Sequence, residues 1–402
     1  MPTYPELEPT SHPALEPTSP LKPLKPQFTA EPLKLVVLSH GIDGCPADMD
    51  EVRTQLHAVD PEVEVFDSPV NKGRKTSAGI ELCAERLWIE LRARLERETR
   101  AVALSLVGHS LGGLILRAVA VRLVAWERAR PEGAAPRLSF EHYVGVAAPH
   151  LGVRHLGQGG HKGFGWLMHK SAGVMRAGLR TIKGRTGPDL LLSNQTLDAL
   201  SGEAGCEALA RFRRRVTVGN VVGDWVTPWA STSLLDAHEA SLVERSFEPD
   251  GASVLWTAEE VQRLRKCGLA PTMRLEPDVA RPDGVPCLVV GPLPADWAPS
   301  STEAAHRTWE DGLFSRLVGG GAAAPKARLA ASLLRRLRSC GEWEVHPVRF
   351  ATHFGSPISP SFLGGVLSPH VDVMGIPKQR KTDAGVEVVR HLAAGLARVE
   401  KV

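Results

Sequence analysis

The stretch "AVALSLVGHSLGGLILRAVAVRLVAW", residues 101–126, decides the fold. Residues 101–107 are apolar apart from Ser105, as in a strand buried on both faces. "LILRAVAVRL" at 114–123 has the length and composition of a buried helix. Between them lies Gly108-His109-Ser110-Leu111-Gly112, followed by Gly113. A serine on a tight strand-to-helix turn needs small flanking residues, because any larger side chain obstructs the close approach of helix to strand. The helix also directs unpaired N–H groups at Ser110, which favours negative charge developing there. With 38 glycines in 402 residues, G-x-S-x-G arises readily by chance, so the flanking strand and helix carry the reading of Ser110 as a nucleophile.

Working outward, "LKLVVLSHG" (33–41) reads as a second buried strand and "EVEVFDS" (62–68) as an alternating one. "GIELCAERLWIELRARLERE" (79–98) has helical spacing with one charged face. "FEHYVGVAAPHLG" (140–152), "RRVTVGNVVGDWVTPW" (214–229) and "EWEVHPVRF" (342–350) each run from a buried strand into a loop. Strands alternating with helices of this length predict an α/β protein. Its sheet is mostly parallel and doubly wound, with helices on both faces. Residues 1–32, with "LEPTS" twice and "LKPLKP", form a proline-rich leader expected to be extended and poorly ordered. Residues 33–402 form the α/β domain. Within it, 153–213 reads as a helical cap region and 236–330 as a long late insertion.

Lys and Arg number 48 against 45 Asp and Glu, a balance that argues against nucleic acid as a partner. The six cysteines include no C-x-x-C, so neither a metal site nor a disulfide framework is expected, and no cofactor. No apolar signal segment or transmembrane span is evident, and the expectation is an intracellular protein, soluble or peripherally membrane-associated. The basic amphipathic stretch 163–185 leaves two readings open. It is either a packed cap helix with a solvated face, or a surface whose Phe164, Trp166, Leu167, Met168 and Val174 cover an acyl chain while Lys162, Lys170, Arg176 and Arg180 face phosphates.

A serine nucleophile needs a base, and on this fold the acid and the histidine follow it in that chain order, each after a later strand. Asp224 comes just after an apolar run, in a Gly-Asp turn, with Asp236 in reserve. Among the later histidines, His346 falls within a strand and His391 within the last helix. His370 lies on a loop between the two and is preferred as the base, with His353 as the alternative. The oxyanion hole would use the N–H of Leu111 and, through the sharp His40-Gly41 turn after the first strand, that of Ile42. His40 itself reads as a loop-bracing residue.

These pieces resemble a serine esterase family of eukaryotes, a lipase-like branch of the α/β-hydrolases long labelled a domain of unknown function. The resemblance rests on "VVLSHGIDGCPADM", "NKGRKTSAGIELCAERL" (71–87), "LVGHSLGGLILRAV", "YVGVAAPHLGV", "GRTGPDLLLSN" (184–194), "ARFRRRVTVGNVVGDWVTPW" and "WEVHPVRF". It implies an α/β-hydrolase fold, hydrolysis of carboxylic esters of lipids, and a triad of Ser110, Asp224 and His370. Two alternatives stay open: a thioesterase or small-ester esterase, and a catalytically silent scaffold. The triad residues cannot separate the ester classes, because the oxyanion chemistry is common to all of them.

Overall fold

The computed structural model describes residues 31–153, 183–222, 224, 226–248, 253–278, 280–298, 323–350, 370, 373–374 and 383–397. Its centre is an eight-stranded sheet in the order β2-β1-β3-β4-β5-β8-β7-β6. The strands are β1 (Leu33–Ser39), β2 (Glu64–Asp67), β3 (Val102–His109), β4 (Leu138–Val146), β5 (Arg214–Val222), β6 (Met273–Glu276), β7 (Cys287–Val290) and β8 (Trp343–Arg349). β2 through β8 pair in parallel across the first six positions, and β7 and β6 add an antiparallel edge. Every residue of β3 is buried, as expected of a central strand covered on both faces.

The helices divide between those faces. α1 (Asp50–Val59) and the last helix, Asp383–Ala397, cover one side. There Val388, Val389, Leu392, Ala393 and Leu396 form a helical-period stripe packed with Val52, Leu56 and the valines of β3, β4 and β5. α2 (Ile80–Leu95) and α3 (Leu111–Arg128) cover the other side. From β1 the chain moves outward to β2, then returns to β3 on the opposite flank of β1. The carboxyl ends of β1 and β3 thus border the point where strand order reverses, where doubly wound sheets place their sites.

Residues 183–213 hold three short helices: α4 (Thr186–Leu190), α5 (Thr196–Leu200) and α6 (Glu203–Ala210). "GRTGPDLLLSN" clamps the start of α2. Asp189 Oδ2 accepts the Ile80 N–H at 2.8 Å, Thr186 Oγ1 accepts the Gly79 N–H at 3.0 Å, and Asp189 Oδ1 accepts from Asn194 and Thr196. The carboxylate therefore occupies the positive end of the α2 dipole.

Residues 236–330 hold more regular structure than a long connection suggests. They contain α7's successors α8 (Ala237–Ser246) and α9 (Ala258–Cys267), α7 itself being Trp229–Ser233, together with β6 and β7. Buried ion pairs tie them down: Glu239 of α8 to Arg338 of α10 (Ala323–Ser339), and Glu260 of α9 to Arg349 of β8. Their strands are four residues each, too short for an alternation pattern to stand out. The last helix, Asp383–Ala397, is α11.

Candidate active site

Ser110 stands between β3 and α3 with φ 53° and ψ −123°, a region that a non-glycine residue occupies only when its surroundings hold it there. Its N–H donates to Val146 O at 2.8 Å, fastening the turn to the end of β4. The glycines around it are sterically required. A Cβ at Gly108 would lie 2.4 Å from Gly113 N, and one at Gly112 would lie 2.0 Å from Ser39 O and 2.7 Å from His40 O. The helix N-terminus is thus pressed against the end of β1, and a Cβ on Gly41 would lie 3.2 Å from Ser110 Cβ. Loop 40–42 therefore flanks the serine. Among the described residues, the N–H groups of Ile42 and Leu111 meet no hydrogen-bond acceptor. His40 is buried, with Nδ1 2.9 Å from Gly41 O, and braces this loop.

Three residues far apart in the chain meet here. His370 Nε2 lies 2.8 Å from Ser110 Oγ, and His370 Nδ1 lies 3.0 Å from Asp224 Oδ2. All three are buried. Asp224 Oδ1 accepts the N–H groups of Val226 and Thr227, each at 2.9 Å. The carboxylate therefore closes its own turn with one oxygen and faces the histidine with the other, so the turn chemistry orients it for His370. A carboxylate only accepts, so Nδ1 carries the ring proton and Nε2 offers its lone pair to the serine hydroxyl.

The remaining candidates lie elsewhere. Asp236 caps α8, accepting from Glu239 N at 2.8 Å and from Trp297 Nε1 at 3.0 Å. His346 lies within β8 and His391 within α11. His353 and residues 163–182 of the basic stretch lie outside the described residues.

One site residue was not anticipated. His109, the second letter of the serine motif, places Nε2 2.9 Å from the main-chain oxygen of His370, and the two rings lie 5.0 Å apart. The carbonyl can only accept, so His109 donates from Nε2 and holds the His370 backbone. Burial, reinforced by His370, pushes its pKa down to about 3, so it stays neutral. The available signal was a histidine inside an otherwise apolar, fully buried strand.

The chain is similar to several known proteins. The chain is 25% identical over 240 residues to "Putative lipase YDR444W" of Saccharomyces cerevisiae, an alignment covering 54% of this chain and 34% of the yeast protein. It thus spans about a third of that curated relative. Among solved structures, similarity extends to the RedJ thioesterase of the prodiginine pathway of Streptomyces coelicolor (22% identity, 55% and 80% of the two chains, TM-score 0.26). It also extends to the peroxisomal α/β-hydrolase Lpx1 of Saccharomyces cerevisiae (14% identity, 49% and 64%, TM-score 0.28). Residues 29–236 match the family model described as "Putative serine esterase (DUF676)", slightly more than half of the chain, and the protein belongs to that family of lipase-like α/β-hydrolases.

Proposed function

We propose that the protein hydrolyses carboxylic esters of acyl lipids through an acyl-enzyme on Ser110. The observation that carries the reading is the hydrogen-bonded line from Ser110 Oγ to His370 Nε2 and from His370 Nδ1 to Asp224 Oδ2, starting from a strained serine. In this scheme Ser110 Oγ attacks the ester carbonyl as His370 Nε2 takes its proton, and Asp224 stabilises the imidazolium. The N–H groups of Leu111 and Ile42 receive the carbonyl oxygen as it becomes an oxyanion. The intermediate collapses to acyl-Ser110, and the alcohol leaves with the proton from His370. Water then attacks the acyl-enzyme by the same route, His370 first taking and then returning a proton.

Acyl lipids are favoured within the esters by the yeast relative's designation as a lipase. Among the described residues no helix is long and apolar enough to cross a membrane. The test is fluorophosphonate labelling, followed by hydrolysis of glycerol and phospholipid esters graded by chain length, with matched thioesters and short soluble esters. Labelling should vanish in Ser110→Ala and fall about 10³-fold or more in His370→Ala and Asp224→Asn. Labelling confined to Ser110 with turnover only of thioesters or short esters would replace the lipid reading. A wild type that stays unlabelled even with detergent present would overturn the nucleophile.

A further inference from the structure

A second cluster of chemically capable side chains lies away from Ser110, on the face of the sheet covered by α11. His346 projects from β8, His391 from α11, and Asp278 from the loop after β6. All three are more than nine-tenths buried. His391 Nε2 lies 3.2 Å from His346 Nδ1, and Asp278 Oδ2 lies 3.3 Å from the first and 3.5 Å from the second. Asp278 Oδ2 is left without a hydrogen bond, whereas Oδ1 is fixed by the Ala280 N–H at 2.9 Å.

This triangle is poor hydrogen bonding but good coordination geometry. Two ring nitrogens facing each other can share one proton, which leaves the buried carboxylate oxygen unserved. A tetrahedral metal with bonds of about 2.0–2.1 Å sets adjacent ligands roughly 3.3–3.4 Å apart. The three observed edges bracket that value. Two imidazoles and one carboxylate also form a recurrent ligand set for zinc with a fourth position open to water.

We propose that Asp278, His346 and His391 form a binding site for a divalent transition metal, with Zn²⁺ the best fit. A cavity of about 20 Å³ borders the three residues, enough to hold one water as fourth ligand. Glu344, held by Arg214 through Nε to Oε1 and Nη2 to Oε2, stands with Oε2 3.9 Å from His346 Nε2, near enough to become its outer partner after a small shift. The other lining histidine, His142, is engaged elsewhere, with its Nδ1 3.0 Å from Ser105 Oγ. The ion would join β8 to α11, the two elements that border the segment carrying His370.

The experiment uses the full chain, stripped with chelator and shown to be folded by circular dichroism. Zn²⁺ is titrated against a chromophoric chelator, and Co²⁺ is followed by its visible d–d absorption. The expected result is one ion per chain at submicromolar affinity, a tetrahedral Co²⁺ spectrum, and a melting temperature that rises with Zn²⁺. Asp278→Asn and His391→Gln should each weaken binding by about 100-fold or more, beyond the usual effect of an outer partner. Ser110→Ala should bind as wild type does, which separates this site from the hydrolase reading. A folded wild type that binds neither ion more tightly than micromolar overturns the proposal. So does binding that is unchanged in both variants.

Discussion

Gly112→Ala puts the packing of the serine turn to a direct test. The added Cβ would arrive 2.0 Å from Ser39 O and 2.6 Å from Ser39 C, both main-chain atoms with no rotamer to yield. Since Cβ contacts under 3.0 Å are essentially never seen, the start of α3 must retreat from the end of β1 by about 1 Å. That retreat separates the Leu111 N–H, which moves with α3, from the Ile42 N–H, which stays with the β1 loop. A misplacement of about 1 Å costs roughly 10²-fold in rate, and overpacking costs about 1–3 kcal/mol in stability. The expected variant is therefore folded, slightly less stable, and about a hundredfold slower in fluorophosphonate labelling and ester turnover. Gly291→Ala, where the nearest atom is 3.9 Å away, serves as the neutral control. A folded Gly112→Ala labelled within threefold of wild type would refute the account of how β1 and α3 build the site.

Other outcomes can be stated compactly. His109→Phe keeps a buried ring but removes the donor to His370 O, and should lower kcat about tenfold while leaving KM and the melting temperature close to wild type. If kcat is unchanged, His109 serves packing alone. Acid should unfold the protein early. His109 and His142 titrate near 3 and His346 near 4 in the fold, all because of burial, against about 6.5 in the unfolded chain. The unfolded state thus binds protons that the fold refuses, and stability is complete above pH 6.5 and falls below it. Each histidine removes about 2 kcal/mol by pH 5. Glu98, held down to about 2 by Arg100, keeps its stabilising contribution until the pH falls into the unfolded carboxyl range, and loses it below. Urea midpoints that stay level from pH 7.5 to 5 would contradict this assignment. Asp189→Ala should cost about 2–4 kcal/mol by denaturant titration, since it leaves the Ile80 N–H and the Asn194 and Thr196 side chains without their acceptor.

The parts of the molecule that could be read from sequence are those with strong local periodicity. β1, β3, β4, β5 and β8 contain largely apolar, buried runs, and α2 and α3 follow their helical spacing. Ser110 and Asp224 stand just after β3 and β5, and His370 on the connection between β8 and α11, which is the serine, acid, histidine order read from the sequence. What escaped was non-local. β7 gains its identity only by pairing with β8, and β6 by pairing with β7, since "MRLE" and "CLVV" are too short to declare a period. His109 acquires a role only when the main chain at His370 is laid across it, 261 residues later. Asp278, His346 and His391 belong to a loop, a strand and a helix with no fixed spacing, so no motif could have announced them.

The 260-residue separation of Ser110 and His370 also bears on synthesis. At about 5–20 residues per second, a ribosome finishes the serine turn roughly 13–50 s before it adds the histidine. Throughout that interval the nascent chain holds a serine with no base to activate it. Reactivity toward fluorophosphonate should therefore be missing from ribosome-bound chains arrested before residue 370, however well their sheet has formed. On the proposed reading, chemical competence waits for residue 370, and a shorter nascent chain cannot attack the esters around it.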